Sequence, residues 1–120
     1  QDWMVDAVLY TQIRAAKEHG IEVDCNVQGY QRGAASQERL AQLLFTLFEF
    51  GIKENEKLSE QAKRYIHVKL QNVVGNLAVC FEVASAGKRR GKKIRKMLEK
   101  ASEQIEVEEM ETGIQVTILV

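Results

Sequence analysis

The 120-residue chain has no proline, one tryptophan, two cysteines and two histidines. It also has no apolar run of about 18 residues, which excludes a membrane-spanning helix, and no secretory signal is recognisable. Cys25 and Cys80 stand far apart without a C-x-x-C, each in a strand-like segment. They read as reduced, partly buried thiols of a cytosolic domain. Together with the scattered His19 and His67 they argue against a structural zinc site, which needs four ligands at short spacings. No Ser/His/Asp or Cys/His constellation is present. The adjacent Glu108 and Glu109 point to opposite faces of a strand and cannot act as a pair. With no proline, no low-complexity tract and no internal repeat, nothing divides the chain, and 1–120 reads as one domain able to bury a core. The first residue is Gln1, and an amphipathic pattern begins within a few positions. This is expected of a segment of a longer protein.

Apolar residues make up 45% and charged residues 28% of the chain, as in ordinary globular proteins. The 17 basic and 17 acidic side chains cancel, but they are not evenly spread. Positions 88–100 hold Lys88, Arg89, Arg90, Lys92, Lys93, Arg95, Lys96 and Lys100; the stretch after them holds Glu103, Glu106, Glu108, Glu109 and Glu111. The basic stretch has three readings: a solvated helix face, a contact for an acidic partner, or a contact for phosphate or nucleic acid. No aromatic residue lies in or beside it to stack a base, so nucleic acid is the least favoured partner. The helix start near Gly91, with Arg89, Arg90, Lys92 and Lys93, is a candidate anion or partner contact.

Hydrophobic periodicity supplies the elements. Val5, Val8, Leu9, Ile13 and Ala16 form one stripe of a helix over 2–19, with Gly20 as its stop. Ile21, Val23, Cys25 and Val27 alternate with polar residues as a strand does. Ser36 is an N-cap candidate for a second helix running to about position 58. Ile66, Val68 and Leu70 make a strand, and Leu77, Val79, Phe81 and Val83 its return. Ile94, Met97, Leu98 and Ala101 give a third helix its stripe. A final hairpin pairs Ile105 and Val107 with Ile114, Val116 and Ile118. The order α-β-α-β-β-α-β-β predicts an α+β fold, a two-layer sandwich. It has one mixed, mostly antiparallel five-stranded sheet with three helices on one face. The outward residues His67, Lys69, Gln71, Glu106, Glu108, Gln115 and Thr117 leave the other face wet. Trp3 and Tyr10 on the first helix are expected to meet a partner or an upstream helix.

This order resembles the ATP-binding domain of the GHKL family, which includes the sensor histidine kinases. The likeness is nearest to the Agr-type quorum-sensing branch. Positions 9–21, LYTQIRAAKEHGI, resemble the family's opening L-x-x-K-x-x-x-A-x-x-x-G-I, and 40–55, LAQLLFTLFEFGIKEN, resembles its nucleotide helix N-x-L-L-D-N-A-I-E-A. Positions 90–120 resemble its G-x-G-L helix and closing hairpin. The resemblance implies a Bergerat-like fold, a place in two-component signalling in the cytoplasm as part of a membrane-anchored sensor, and upstream dimerisation helices as partner.

The chemical residues depart from the pattern. Thr46 stands at the first Asn and Phe50 at the Asn that holds magnesium, and a phenyl ring is no ligand for a hard cation. Gly91 is followed by Lys93 where a second glycine is expected. Ser85-Ala-Gly87 is the nearest approach to the adenine-binding D-x-G-x-G, and it lacks the Asp. The long lid is missing. What remains is a vestigial nucleotide site of Glu49, Ser85, Gly87 and Gly91, with no catalytic or metal-binding residue. Two or three lost polar partners, at about 1–3 kcal/mol each, weaken nucleotide binding roughly 10²- to 10⁴-fold. The chain is therefore expected to need no cofactor, with ATP and magnesium at most weak ligands, to be inactive as a kinase, and to act as a protein-interaction or regulatory module. The alternatives are an ATP-binding kinase domain with a divergent site and a nucleic-acid module using 88–100.

Overall fold

The computed structural model describes residues 2–87, 90–99 and 104–120. The expected fold is what it shows: helix α1 (Trp3–Glu18), strand β1 (Glu22–Asn26), helix α2 (Gln37–Glu56), strands β2 (Tyr65–Val73) and β3 (Asn76–Ala84), helix α3 (Arg90–Leu98), and strands β4 (Ile105–Glu109) and β5 (Gly113–Leu119). The sheet order is β1-β2-β3-β5-β4. Only β1 and β2 run parallel; the other neighbours are antiparallel. A short 3-10 turn, Gln61–Lys63, leads from α2 into β2 and was not legible in the sequence.

Local chemistry explains the boundaries. The α1 helix ends where Gly20, at φ +70, takes the left-handed conformation that glycine adopts without strain. The α2 helix begins where Ser36 accepts a hydrogen bond from the Arg39 amide, 3.1 Å, as an N-cap does. Inward residues of β2, β3 and β5 are buried almost completely, and so is a wide arc of α2. The helix packs closely because of Gly51: a Cβ there would lie 2.9 Å from Val83 and 3.1 Å from Ile66 and Phe81. The wet face is as expected, with Asp24, His67, Glu82, Gln115 and Glu108 in one row across all five strands.

One expectation needs correction. The α3 helix buries Gly91, Ile94 and Leu98, but Met97 is exposed, because it lies about 100° around the axis from Leu98, outside the arc those three cover. Ala101, the last residue of the expected stripe, lies outside the described residues. The two thiols are free and half-buried, and they sit on opposite faces. Cys25 packs against the core, and Cys80 pairs across the sheet with Lys69 and Thr117.

Candidate functional site

The end of β3, the end of α2 and the start of α3 converge, and their polar side chains make one bonded cluster. Its centre is Glu54, whose side chain is 3% exposed. The Ser85 hydroxyl donates to its Oε1 at 2.8 Å. Lys57 donates to its Oε2, also at 2.8 Å, and Lys93 from α3 lies 3.6 Å from the same oxygen. Burial acts to raise the Glu54 carboxyl, but the bonds from Lys57 and Ser85 and the charges of Lys57 and Lys93 outweigh it and hold the group below its usual value. The Lys57 ammonium is raised in turn by its bond to Glu54.

Next to Glu54, Asn55 is fully buried. Its amide nitrogen donates to the carbonyls of Gly51 at 2.8 Å, Tyr65 at 3.3 Å and Ala84 at 3.4 Å. One side chain thus ties the helix to the first residue of β2 and the last of β3. Both polar residues continue the buried stripes of α2: Glu54 follows Leu43, Leu47 and Phe50, and Asn55 follows Leu44, Phe48 and Gly51. A polar side chain in register with an apolar stripe was the signal that sequence reasoning passed over.

Phe50 is 2% exposed and belongs to the hydrophobic core. It precedes Glu54 by one helical turn, on the side of α2 that faces Ser85 and Lys93. Where the resemblance requires a magnesium ligand there is packed apolar bulk. Among the described residues no group of three or more His, Cys, Asp and Glu side chains is placed to hold a metal ion. Phe50 offers no oxygen to a hard cation, and the Ser85 hydroxyl is bonded to the Glu54 carboxylate.

The other expected site residues are distributed as follows. Glu49 lies about 140° around the helix from Glu54 and turns to α1, where the buried Gln12 donates to it at 3.2 Å. Gly87 has φ +101 with open space about its α-carbon, a turn position and no close approach. Gly91 serves packing: a Cβ there would come within 3.0 Å of the Glu109 side chain. Arg90 does not face solvent. It donates to the carbonyls of Ser85 at 3.1 Å and of Met110, and pairs with Glu109 at 3.5 Å. It binds the start of α3 to the β4–β5 turn. Lys92 is exposed, Lys93 faces Glu54, and Arg89 lies outside the described residues. The structure therefore brings together Ser85, Gly91, Arg90 and Lys93, adds Glu54, Asn55 and Lys57, and leaves Glu49 apart. Positions 85–89 alone join β3 to α3, so no long lid intervenes.

No protein-family model matches the sequence, and no curated protein matches it. Solved structures do match in fold. The catalytic domain of histidine kinase ThkA superposes with a TM-score of 0.72 at 14% identity, over 100% of this chain and 92% of that one. ThkA in complex with the response regulator TrrA gives 0.75 at 14% identity, over 100% of this chain and 40% of the kinase. Histidine kinase AdeS of Acinetobacter baumannii gives 0.71 at 13% identity, over 98% and 62%. The chain has the fold of a histidine-kinase catalytic domain.

Proposed function

We propose that this catalytic-domain fold, from a sensor kinase nearest the Agr type, has lost its nucleotide chemistry and serves signal transduction as a protein-interaction or regulatory module. The observation that carries the reading is the Ser85–Glu54 hydrogen bond, together with the burial of Phe50 one helical turn before Glu54. The two positions that would recognise adenine and hold magnesium are used to close the fold on itself. Opening the cluster for a nucleotide would leave a buried carboxylate short of a donor, a cost of about 1–3 kcal/mol before any phosphate is placed. The polyanion would then lie near that carboxylate, where like charges disfavour each other. A protein partner is supported by analogy with ThkA, whose complex with a response regulator has this fold in it.

Calorimetric titration of ATP and ADP, with and without magnesium, tests the reading. No heat of binding up to about 1 mM nucleotide, equivalent to about −4 kcal/mol, is the expected result. Magnesium-dependent binding at micromolar concentration would overturn it, and would mean that the Glu54–Ser85 cluster opens.

A further inference from the structure

The α1 helix buries Val5, Leu9, Gln12 and Ala16 and leaves its opposite face bare. Trp3 and Tyr10 on that face are 71% and 69% exposed. They are seven residues apart and only about 20° apart around the axis, so they form one stripe. Beside Tyr10, Ile13, Arg14 and Lys17 line a shallow hollow. Exposed aromatics with an arginine are the residue types that dominate protein interfaces.

The order of charge along the stripe narrows the partner. Trp3 and Asp6 occupy its first half, Arg14 and Lys17 its second, and Tyr10 the middle. Asp6 and Arg14 are each four residues from Tyr10, and Trp3 and Lys17 each seven. Asp6 and Lys17 fall on one side of Tyr10, Trp3 and Arg14 on the other, at about 20–40°. A face arranged in this way is complementary to itself in the reverse direction. The geometry points to a second copy of this chain, docked antiparallel on α1, as the occupant. A two-fold axis passes beside Tyr10, which meets its own counterpart. Asp6 of each copy lies against Lys17 of the other, and the Trp3 indole lies under the Arg14 guanidinium of the other. Arg14 is free to do this, because its present ion pair with Glu18, 3.7 Å, has both side chains 70% exposed and such pairs contribute little.

A helix of this length spans about 24 Å. The contact therefore falls at the small end of specific interfaces, and the dimer dissociates in the micromolar range or above. The inference supplies a partner for the interaction role proposed above. It does not depend on the nucleotide site, so failure of one leaves the other standing.

Sedimentation equilibrium up to about 0.5 mM protein tests it, with circular dichroism and thermal unfolding verifying that each variant keeps α1. The wild type is expected to show a monomer–dimer equilibrium. Tyr10→Glu, which places two carboxylates at the axis, should weaken it at least about 30-fold. Asp6→Lys should weaken it too, and Asp6→Lys combined with Lys17→Glu should recover most of the loss. A wild type that stays monomeric overturns the proposal and assigns the face to a different partner. A dimer that Tyr10→Glu leaves intact, or an Asp6→Lys loss that Lys17→Glu does not repair, overturns it as well.

Discussion

Replacing Phe50 by Asn restores the residue that the family resemblance requires for magnesium, and it should damage the protein instead of reviving it. Phe50 is 2% exposed within the core, so truncation loses its transfer free energy and leaves a cavity. Phe50→Ala should cost about 3–5 kcal/mol. Asn adds a buried amide without a built partner, a further cost of about 1–3 kcal/mol. Against a total stability of about 5–15 kcal/mol, Phe50→Asn removes about a quarter of it or more. Urea unfolding followed by circular dichroism reads this directly. With a slope of about 1.5 kcal/mol/M, the alanine variant should lose about 2–3 M in midpoint. A loss under about 1 kcal/mol for Phe50→Asn would show that the site opens to solvent and that Phe50 is not part of the core. Magnesium-dependent ATP binding by a stable Phe50→Asn protein would refute the reading of the whole site.

Other consequences are as definite. Val74 is a β-branched residue held at φ +46 and 95% exposed. Val74→Asn should relieve left-handed strain and raise the melting temperature by about 4 °C, for about 1 kcal/mol; no rise would show that the turn is unstrained. The folded Glu54 carboxyl lies below its ordinary 4.5, so its contribution to stability is present above that pH and is lost as pH falls through the folded value. Urea unfolding from neutral to acid pH should find Glu54→Gln less stable than wild type at pH about 7, with the gap narrowing below pH about 4.5. A constant gap would remove the pH linkage. Gly113→Ala would put a methyl against the Val83 carbonyl and 2.7 Å from the Tyr65 hydroxyl. Because backbone cannot yield there as a side chain does, it should lose about 3 kcal/mol or more, measured by the same unfolding transitions.

The sequence could be read as far as it was because the elements are locally encoded. Alternation in 21–27 and 77–83, the helical stripes of α1 and α2, the Ser36 cap and the Gly20 stop are each written in a few neighbouring residues, and burial of one face per element forces a two-layer sandwich. That Phe50 stands where the resemblance places a magnesium Asn is also legible in the sequence alone. The site was less legible. Glu54 and Asn55 look like surface residues near a helix end, and only the packing of α2 over the ends of β2 and β3 turns them inward. Arg90 sits in a basic run, and its sequence neighbours suggest a solvent-facing charge. The carbonyl of Ser85, just after β3, and that of Met110 in the β4–β5 turn surround it and engage it in the fold.

The division has one physical cause. Helix and strand periodicities depend on contacts within a few residues, so amino-acid order alone determined the elements, their sequence along the chain and the phenyl ring at position 50. Hydrogen bonds between residues 31 apart, as between Glu54 and Ser85, exist only after the layers have packed. Tertiary structure alone decided that Ser85 bonds to a buried Glu54, that Gly91 lies against the Glu109 side chain of β4, and that Trp3 and Tyr10 are left facing outward.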